Sequence, residues 1–275
     1  MALLLDVGLP LLAVGAHAAY VGAAYRSIVG RDDPLAGMSP LPSLIGGGLY
    51  LIAVQLGMRV MRSRPALEPT AAMQIYNVYE AALSALMVAL FAAEAAALGG
   101  PVALFTAPVD RSARGSRLAF ALWLSYASKA TEFADTLWMV LRKKERQVTA
   151  LHLIHHAEMG FLMWTYLRWA PGGTSAFGPA INAGVHVVMY VYYLLTGMGM
   201  KPAWKQALTV MQLAQFCVIL AHAVYHIATW NKYWVGGLAV RCERAWGVRR
   251  RGRGSEPVVM RTHVPEAASN FDGKR

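Results

Sequence analysis

The sequence predicts an all-α membrane protein that crosses the bilayer several times. Hydrophobic residues make up 56% of the 275-residue chain and charged residues only 15%, and the mean hydropathy is +0.38. Soluble globular domains contain about 25% charged residues. A helix needs about 20 mostly apolar residues to cross a bilayer, and several stretches of this chain meet that requirement. These observations favour six to seven transmembrane helices and exclude an ordinary soluble domain.

Seven stretches qualify as membrane spans: 2–25, 41–61, 74–98, 118–141, 150–170, 179–199 and 207–230. The first could instead be a signal peptide cleaved near Ala16-His17-Ala18. No basic residue precedes its apolar run, so we expect it to be retained as a span. We divide the chain into an apolar N-terminal segment (1–30), one membrane domain (31–232) and a basic tail (233–275). The Arg, Gly and Pro residues of the tail predict disorder.

The net charge of +11 is concentrated in the connections between spans and in the tail. This distribution fits an anionic lipid or an anionic substrate better than nucleic acid. Nine basic residues, at 59–64, 142–146 and 201–205, fall in alternate connections, against six in the others. The positive-inside tendency therefore places the LRKK stretch (141–144) and the N-terminus in the cytosol.

Four spans carry polar residues at helical spacing, although a charge at the centre of a membrane helix costs about 2.5–3.5 kcal/mol. An ion pair between helices would account for the charges of the first set, and hydrogen bonds between helices would account for the glutamines. Three histidines on one helical face favour a functional role. The four sets are Lys129, Glu132, Asp135 and Thr136; His152, His155 and His156; Asn182, His186, Met189, Tyr190 and Tyr193; and Thr209, Gln212, Gln215 and Phe216.

Two kinds of chemistry use clustered histidines in a membrane. Imidazoles could bind iron, as in membrane desaturases and hydroxylases, and His222 with His226 would supply a further pair of ligands. The chain has only eight histidines, fewer than that interpretation requires. Alternatively, a neutral imidazole can accept an acyl group from a thioester and pass it to a carbanion. A non-catalytic lipid-binding scaffold is a third interpretation, and all three stay open on the residues alone.

The four sets lie in motifs that resemble those of the ELO family of fatty-acid elongases. Residues 129–144 match KxxExxDTxFxxLRKK except for Trp138, and LHLIHH matches HxxHH. NAGVHVVMYVYY matches NxxxHxxMYxYY, and TVMQLAQF matches TxxQxxQF. The resemblance covers roughly residues 33–230. It implies a very-long-chain 3-oxoacyl-CoA synthase of the endoplasmic reticulum membrane, built as a ring of helices around an acyl-chain tunnel. Such an enzyme condenses malonyl-CoA with a long-chain acyl-CoA and releases CoA and carbon dioxide.

The resemblance also implies roles for individual residues. His155 would accept the acyl group, His152 and His156 would orient it or transfer protons, and His186 with Asn182 would assist decarboxylation and stabilise the enolate. Gln147 resembles the branch of the family that takes polyunsaturated or very long chains. The remaining substrate-binding and CoA-binding residues would be Lys129, Arg142, Lys143 and Lys144 on the CoA phosphates, and Glu132, Asp135, Gln212, Gln215, Tyr190 and Tyr193 around the site.

The resemblance implies no metal and no cofactor beyond the two CoA substrates. Reduction, dehydration and a second reduction would come from partner enzymes, because no nucleotide-binding glycine fingerprint is present. Expected partners are acyl-CoA, malonyl-CoA, membrane lipid and the ketoreductase, dehydratase and enoyl reductase of the elongation cycle. A homo-oligomer is compatible with this interpretation, and no nucleic acid partner is expected.

Overall fold

Helices form all the regular structure in residues 4–228, the part of the chain that the computed structural model describes. A π-helical turn, Leu4–Gly8, leads into the first helix, and 3-10 turns at Glu145–Gln147 and Gly173–Ala176 precede α7 and α8. The predicted all-α class is confirmed. The helices are α1 Leu9–Ile28, α2 Leu41–Arg62, α3 Thr70–Ala97, α4 Ala103–Thr106, α5 Ser116–Thr131, α6 Phe133–Leu141, α7 Ala150–Trp169, α8 Phe177–Gly197 and α9 Lys205–Ala228.

Five of these helical segments are long and apolar enough to cross a membrane, so the protein is polytopic. The predicted spans 118–141 and 150–170 are also helical, but the first is interrupted and the second contains the three histidines. The ring around a tunnel and the three-part division of the chain stay predictions. The tail 233–275 and the last two residues of the predicted span 207–230 lie outside the described residues. The five segments are Asp6–Ile28, Leu41–Arg62, Thr70–Ala97, Gly173–Gly197 and Lys205–His226.

The stretch 118–141, expected as one continuous span, is two helices that meet at Glu132. Hydroxyl groups of Ser125, Ser128 and Thr131 donate to backbone carbonyl oxygens three or four residues earlier, at 3.1, 3.0 and 2.8 Å. Side-chain bonds of this kind compete with the helical hydrogen-bond ladder and bend the helix. The predicted span 118–141 is therefore helical on both sides of one turn residue, and Glu132 is buried at this junction.

A close contact between α2 and α7 brings the start of the histidine helix against the rest of the bundle. A Cβ atom at Gly47 of α2 would lie 2.5 Å from the carbonyl oxygen of Ala157 in α7. Only a glycine leaves room for the two backbones to approach this closely, as small residues do where membrane helices pack. α7 also packs against α5, and α3 packs along α8. The polar motifs of α5 to α8 therefore lie on neighbouring helices.

The N-terminal helix α1 is anchored to α3 and α5. Tyr20 packs against Trp123 with ring centroids 5.3 Å apart, and Tyr25 packs edge-on against Phe120 at 5.1 Å. Just before α1, the carboxylate of Asp6 accepts a hydrogen bond of 3.1 Å from the backbone N–H of residue 72 in α3. The first N–H groups of a helix lack partners within the helix, so Asp6 caps α3 from a separate element.

Candidate functional site

The three histidines of LHLIHH lie together at the start of α7. Thr149 caps this helix, because its hydroxyl oxygen accepts a hydrogen bond of 3.2 Å from the backbone N–H of His152. The ring centroids of His152 and His156 are 4.3 Å apart, and those of His155 and His156 are 5.4 Å apart. All three rings are half-buried. The structure thus gathers the predicted histidines into one cluster that is partly shielded from the surroundings.

His152 is held by a chain of hydrogen bonds that crosses three helices. Its Nε2 atom lies 2.7 Å from the hydroxyl of Thr136 in α6, and that hydroxyl lies 2.8 Å from the hydroxyl of Tyr50 in α2. Thr136 is completely buried. A buried polar group requires such partners, so Tyr50 and Thr136 together fix the orientation of the His152 ring.

A buried ion pair connects the break between α5 and α6 to the second histidine motif. The ammonium group of Lys129 donates to the carboxylate of Glu132 at 2.5 Å, and the two residues are only 6% and 2% exposed. The same carboxylate oxygen accepts a hydrogen bond from Ser128 at 3.1 Å and lies 3.6 Å from Nδ1 of His186 in α8. Lys129 also donates to the side-chain oxygen of Asn182 at 3.4 Å. Motifs more than 50 residues apart in sequence therefore meet at one carboxylate.

The histidine cluster lies next to this network. His155 interacts electrostatically with Lys129, Glu132 and His186. The ring of His155 also packs against Phe216 of α9 at a centroid distance of 6.2 Å. The predicted acyl acceptor therefore contacts the TVMQLAQF helix.

Asp135 is held by two phenol groups. The hydroxyls of Tyr76 and Tyr190 donate to its two carboxylate oxygens at 3.1 and 3.0 Å, and the two hydroxyls lie 3.4 Å from each other. Tyr193 continues this aromatic layer, with its ring centroid 6.2 Å from that of Tyr190. These contacts tie α3, α6 and α8 together beside the ion pair.

The four cations expected to bind CoA phosphates occupy two different environments. Lys143 and Lys144 are exposed just after α6, and Arg142 beside them pairs with Glu68 at 2.8 Å. Lys129 instead lies in the buried ion pair. Three of the four cations could meet a large anionic ligand at the end of α6, whereas Lys129 is already committed to Glu132.

The two glutamines of α9 are only loosely connected to the site. Gln212 donates to the sulfur atom of Met189 at 3.3 Å. Gln215 is buried, and its side-chain oxygen has no hydrogen-bond partner among residues 4–228. Within residues 4–228, neither glutamine forms a hydrogen bond with a histidine or a carboxylate of the site. Their expected role in organising the site stays a prediction.

Sequence reasoning missed three side chains around the site. Tyr50 and Tyr76 supply hydroxyls to the motif residues Thr136 and Asp135, as described above. Glu80 of α3 is 1% exposed, and one of its oxygens has no hydrogen-bond partner within the described residues. An acidic residue near the middle of an apolar span is the available signal for Glu80. The tyrosines carry no such signal, since an isolated tyrosine in a membrane helix is commonly a packing residue.

The described residues do not offer the ligand set that the iron interpretation needs. No group of three His, Cys, Asp or Glu side chains within residues 4–228 is arranged to bind a metal ion. His222 and His226 stack 4.4 Å apart, and His222 packs against Phe177 and Phe105 at 4.4 and 4.8 Å. Their neighbours are therefore aromatic rings rather than the histidines of α7.

Comparisons with known proteins agree with the motifs. The GNS1/SUR4 family, named ELO, matches residues 35–253. Very long chain fatty acid elongase 2 of Mus musculus is 38% identical over 205 residues, which cover 70% of this chain and 68% of the relative. Elongase 7 of Rattus norvegicus is 39% identical over 191 residues, covering 67% of each chain. Elongase 4 of Homo sapiens is 34% identical over 195 residues, covering 70% of this chain and 62% of the relative. On its motifs, its helical fold and these relatives, the chain belongs to the ELO family.

Proposed function

We propose that the protein is the condensing enzyme of a fatty-acid elongation cycle. Membership of the ELO family and similarity to proteins named very long chain fatty acid elongases support fatty-acid elongation. The specific reaction proposed joins malonyl-CoA to a long-chain acyl-CoA, including polyunsaturated ones, and yields a 3-oxoacyl-CoA that is two carbons longer. This makes the protein an acyltransferase, a very-long-chain 3-oxoacyl-CoA synthase.

One observation carries the proposal: three imidazoles of α7 lie beside a buried network that contains a fourth imidazole. His155, the predicted acceptor, interacts with the Lys129–Glu132 pair, and His186 lies 3.6 Å from the Glu132 carboxylate. Covalent transfer needs a nucleophile and a separate group that stabilises developing charge. The two histidine motifs supply one of each in neighbouring positions.

In the first half-reaction, a nitrogen of His155 attacks the carbonyl carbon of the acyl thioester. The new nitrogen–carbon bond forms while the carbon–sulfur bond breaks, and CoA leaves as the thiolate and takes up a proton. His156, whose ring centroid lies 5.4 Å from that of His155, and its neighbour His152, held by Thr136, would orient the acyl group or transfer that proton.

In the second half-reaction, malonyl-CoA loses carbon dioxide and the electron pair of the broken bond forms an enolate. His186 and Asn182 would stabilise the negative oxygen of this enolate. The enolate carbon then attacks the acyl carbonyl, and His155 leaves with its nitrogen lone pair restored. Lys129 and Glu132 hold His186 and Asn182 in place, while Arg142, Lys143 and Lys144 would bind the CoA phosphates.

The experiment that tests the proposal separates the two half-reactions. Membranes containing the full chain, given labelled malonyl-CoA and a panel of acyl-CoAs, should form 3-oxo products two carbons longer. With labelled acyl-CoA alone, mass spectrometry of the protein should find the acyl group on the peptide that carries His155. We expect His155→Ala to lower condensation at least 100-fold and to abolish the adduct.

His222→Gln is the matched control, because it removes a histidine of α9 that packs on aromatic rings outside the network. We expect it to keep activity within about twofold. Loss of activity in His222→Gln together with iron in the purified protein would favour the oxidase interpretation. Absence of any product with the whole acyl-CoA panel would favour a lipid-binding scaffold, and full activity in His155→Ala would refute the assignment of the acceptor.

The same proposal places the protein in the endoplasmic reticulum membrane, with the end of α6 facing the cytosol. The 3-oxo product would then be consumed by a ketoreductase, a dehydratase and an enoyl reductase. The proposed reaction uses no metal and no cofactor other than the two CoA substrates.

A further inference from the structure

A cavity of about 880 Å³ lies between α1, α2, α3, the last turn of α5 and α6. Its walls are mainly aliphatic and aromatic side chains. Leu49 of α2 and Leu137 of α6 line the cavity and are about half exposed, at 59% and 48%. The cavity is therefore a groove that opens sideways, toward the region where a membrane would surround the protein. Its volume lies within the range of ligand pockets, roughly 300–1,000 Å³.

The groove is separated from the proposed acyl-transfer site. Among the described residues, none of the four histidines of that site lines the groove. Tyr50 and Tyr76 line the groove, and their hydroxyls bond to Thr136 and Asp135 of the site. The ring of Tyr50 also lies 6.1 Å from that of His156, so Tyr50 belongs both to the wall of the groove and to the surroundings of the histidine cluster.

The groove extends through one half of a bilayer. Its lining on α2 runs from Gly46 to Gly57, which is about 16 Å along a helix axis. Half of the bilayer hydrocarbon is about 15 Å thick. Gly57, Leu9 of α1, Pro69 of α3 and Leu141 of α6 all lie at the helix ends that the basic connections predict to be cytosolic. The groove therefore matches the cytosolic leaflet in length and position.

Exposed cations lie near the cytosolic end of the groove, at Arg59 and Arg62 close to the end of α2 and at Lys143 and Lys144 after α6. Two acids at the same end are already engaged, since Asp6 accepts from the first turn of α3 and Glu68 pairs with Arg142. The opposite end contains a hydrogen bond between Nδ1 of His17 and the hydroxyl of Tyr79, which joins α1 to α3. An elongated apolar groove with cations near the end that meets the membrane surface is complementary to a lipid with an anionic head group.

The wall contributed by α1 lies outside the region shared with the family. The family match begins at residue 35, whereas α1 ends at Ile28. Without α1, the α2, α3 and α6 surfaces would be an open face rather than a groove. We propose that this protein has a lipid site, formed by packing of α1 against the family domain, that binds one acyl chain of an anionic phospholipid from the cytosolic leaflet.

Photolabelling of the full chain tests this proposal. The purified protein is reconstituted in phosphatidylcholine nanodiscs with a trace of phosphatidylserine that carries a diazirine on one acyl chain, and labelled peptides are identified by mass spectrometry. We expect labels concentrated on groove residues of α1, α2 and α6. Ala13→Phe/Ala53→Phe, which fills the groove from both sides, should lower this labelling at least fivefold.

Ala19→Phe/Ile52→Phe is the matched control, because it adds aromatic volume to exposed positions of the same two helices outside the groove. It should change labelling by less than twofold. Arg59→Gln/Arg62→Gln should remove the preference for the phosphatidylserine reagent over a phosphatidylcholine reagent with the same diazirine chain. If the filled variant does not elute as a single species on size exclusion, the smaller Ala53→Leu replaces it and should lower labelling about twofold.

Two results would overturn the proposal. Labels spread equally over exposed α9 positions such as Leu213 and Leu220, or unchanged in the filled variant, would show that the groove is not a specific site. A filled variant that makes shorter products from the acyl-CoA panel would show that the groove holds the substrate chain instead. The labelling requires no turnover, so it remains interpretable if the protein proves to have no condensing activity.

Discussion

Breaking the ion pair between Lys129 and Glu132 should cost far more stability than removing the pair as a whole. The substitution Glu132→Gln keeps the size of the side chain but leaves the buried ammonium group without its counter-charge. It also replaces an oxygen that accepts from Lys129 and Ser128 and lies 3.6 Å from His186. Both members of the pair are at least nine-tenths buried. Removing one partner of a buried pair costs about 3–5 kcal/mol, and we expect a loss of that size in the free energy of unfolding.

The double variant Lys129→Met/Glu132→Leu removes both charges and fills the same space with apolar groups. Replacing a buried pair in this way is often neutral or stabilising. We therefore expect the double variant to lose less than about 2 kcal/mol, which gives a strongly non-additive double-mutant cycle. Measuring this requires reversible unfolding of the purified protein by sodium dodecyl sulfate in mixed micelles, followed by far-ultraviolet circular dichroism.

Glu158→Gln serves as the reference for this cycle, because Glu158 is an exposed acid on α7 and its substitution should change stability by less than about 0.5 kcal/mol. The single variants of the cycle are Lys129→Met and Glu132→Leu, and the reasoning would be refuted if each of them lost less than about 1 kcal/mol. It would equally be refuted if the double variant lost the sum of the two single losses, since the two charges would then not be coupled.

Three further predictions concern packing, the polar chain and the cap. Gly47→Ala should destabilise the protein by about 1–3 kcal/mol, because the new methyl group would meet a carbonyl oxygen of α7. The control Gly48→Ala has open space around it and should be neutral or stabilising by up to about 1 kcal/mol. Equal effects of the two substitutions in thermal unfolding would contradict the close approach of the helices. Thr136→Val should lower the free energy of unfolding by about 1–3 kcal/mol, because Tyr50 and His152 would each lose a hydrogen-bond partner. Thr136→Ser keeps the hydroxyl and should retain most of that stability. A Val variant as stable as the Ser variant in the same unfolding assay would argue against the chain of hydrogen bonds. Asp6→Ala should cost about 1 kcal/mol and raise amide hydrogen exchange in the first turn of α3, and unchanged exchange there would exclude the cap.

The sequence predicted the chemistry-bearing residues of the candidate site better than the residues that position them. The spacing of His152, His155 and His156 on an apolar helix required one polar face, and the structure places all three rings together. Tyr50 and Tyr76 were missed because their hydroxyls reach the motifs from α2 and α3, helices with no motif of their own. Partners of this kind depend on which helices are neighbours, and helical periodicity does not contain that information.

Lys129 illustrates a second limit of sequence reasoning. In the sequence it resembles Lys143 and Lys144, since all three are cations near the same apolar stretch. The structure buries Lys129 in the ion pair with Glu132 and leaves Lys143 and Lys144 exposed after α6. The pattern of cations in residues 129–144 does not contain this difference in burial, and the assignment of Lys129 to a CoA phosphate stays a prediction.

The break at Glu132 explains how one short motif can contribute to two environments. Lys129 in the last turn of α5 lies near Asn182 of α8, and Glu132 at the junction lies near His186 of the same helix. Asp135 follows in α6 and is held instead by neutral phenol donors. The ammonium group of Lys129 is thus matched by the nearest carboxylate, and the second carboxylate is satisfied by hydrogen bonds from phenol groups. The imidazole of His186 therefore lies beside a carboxylate whose charge is already offset by the ammonium group of Lys129.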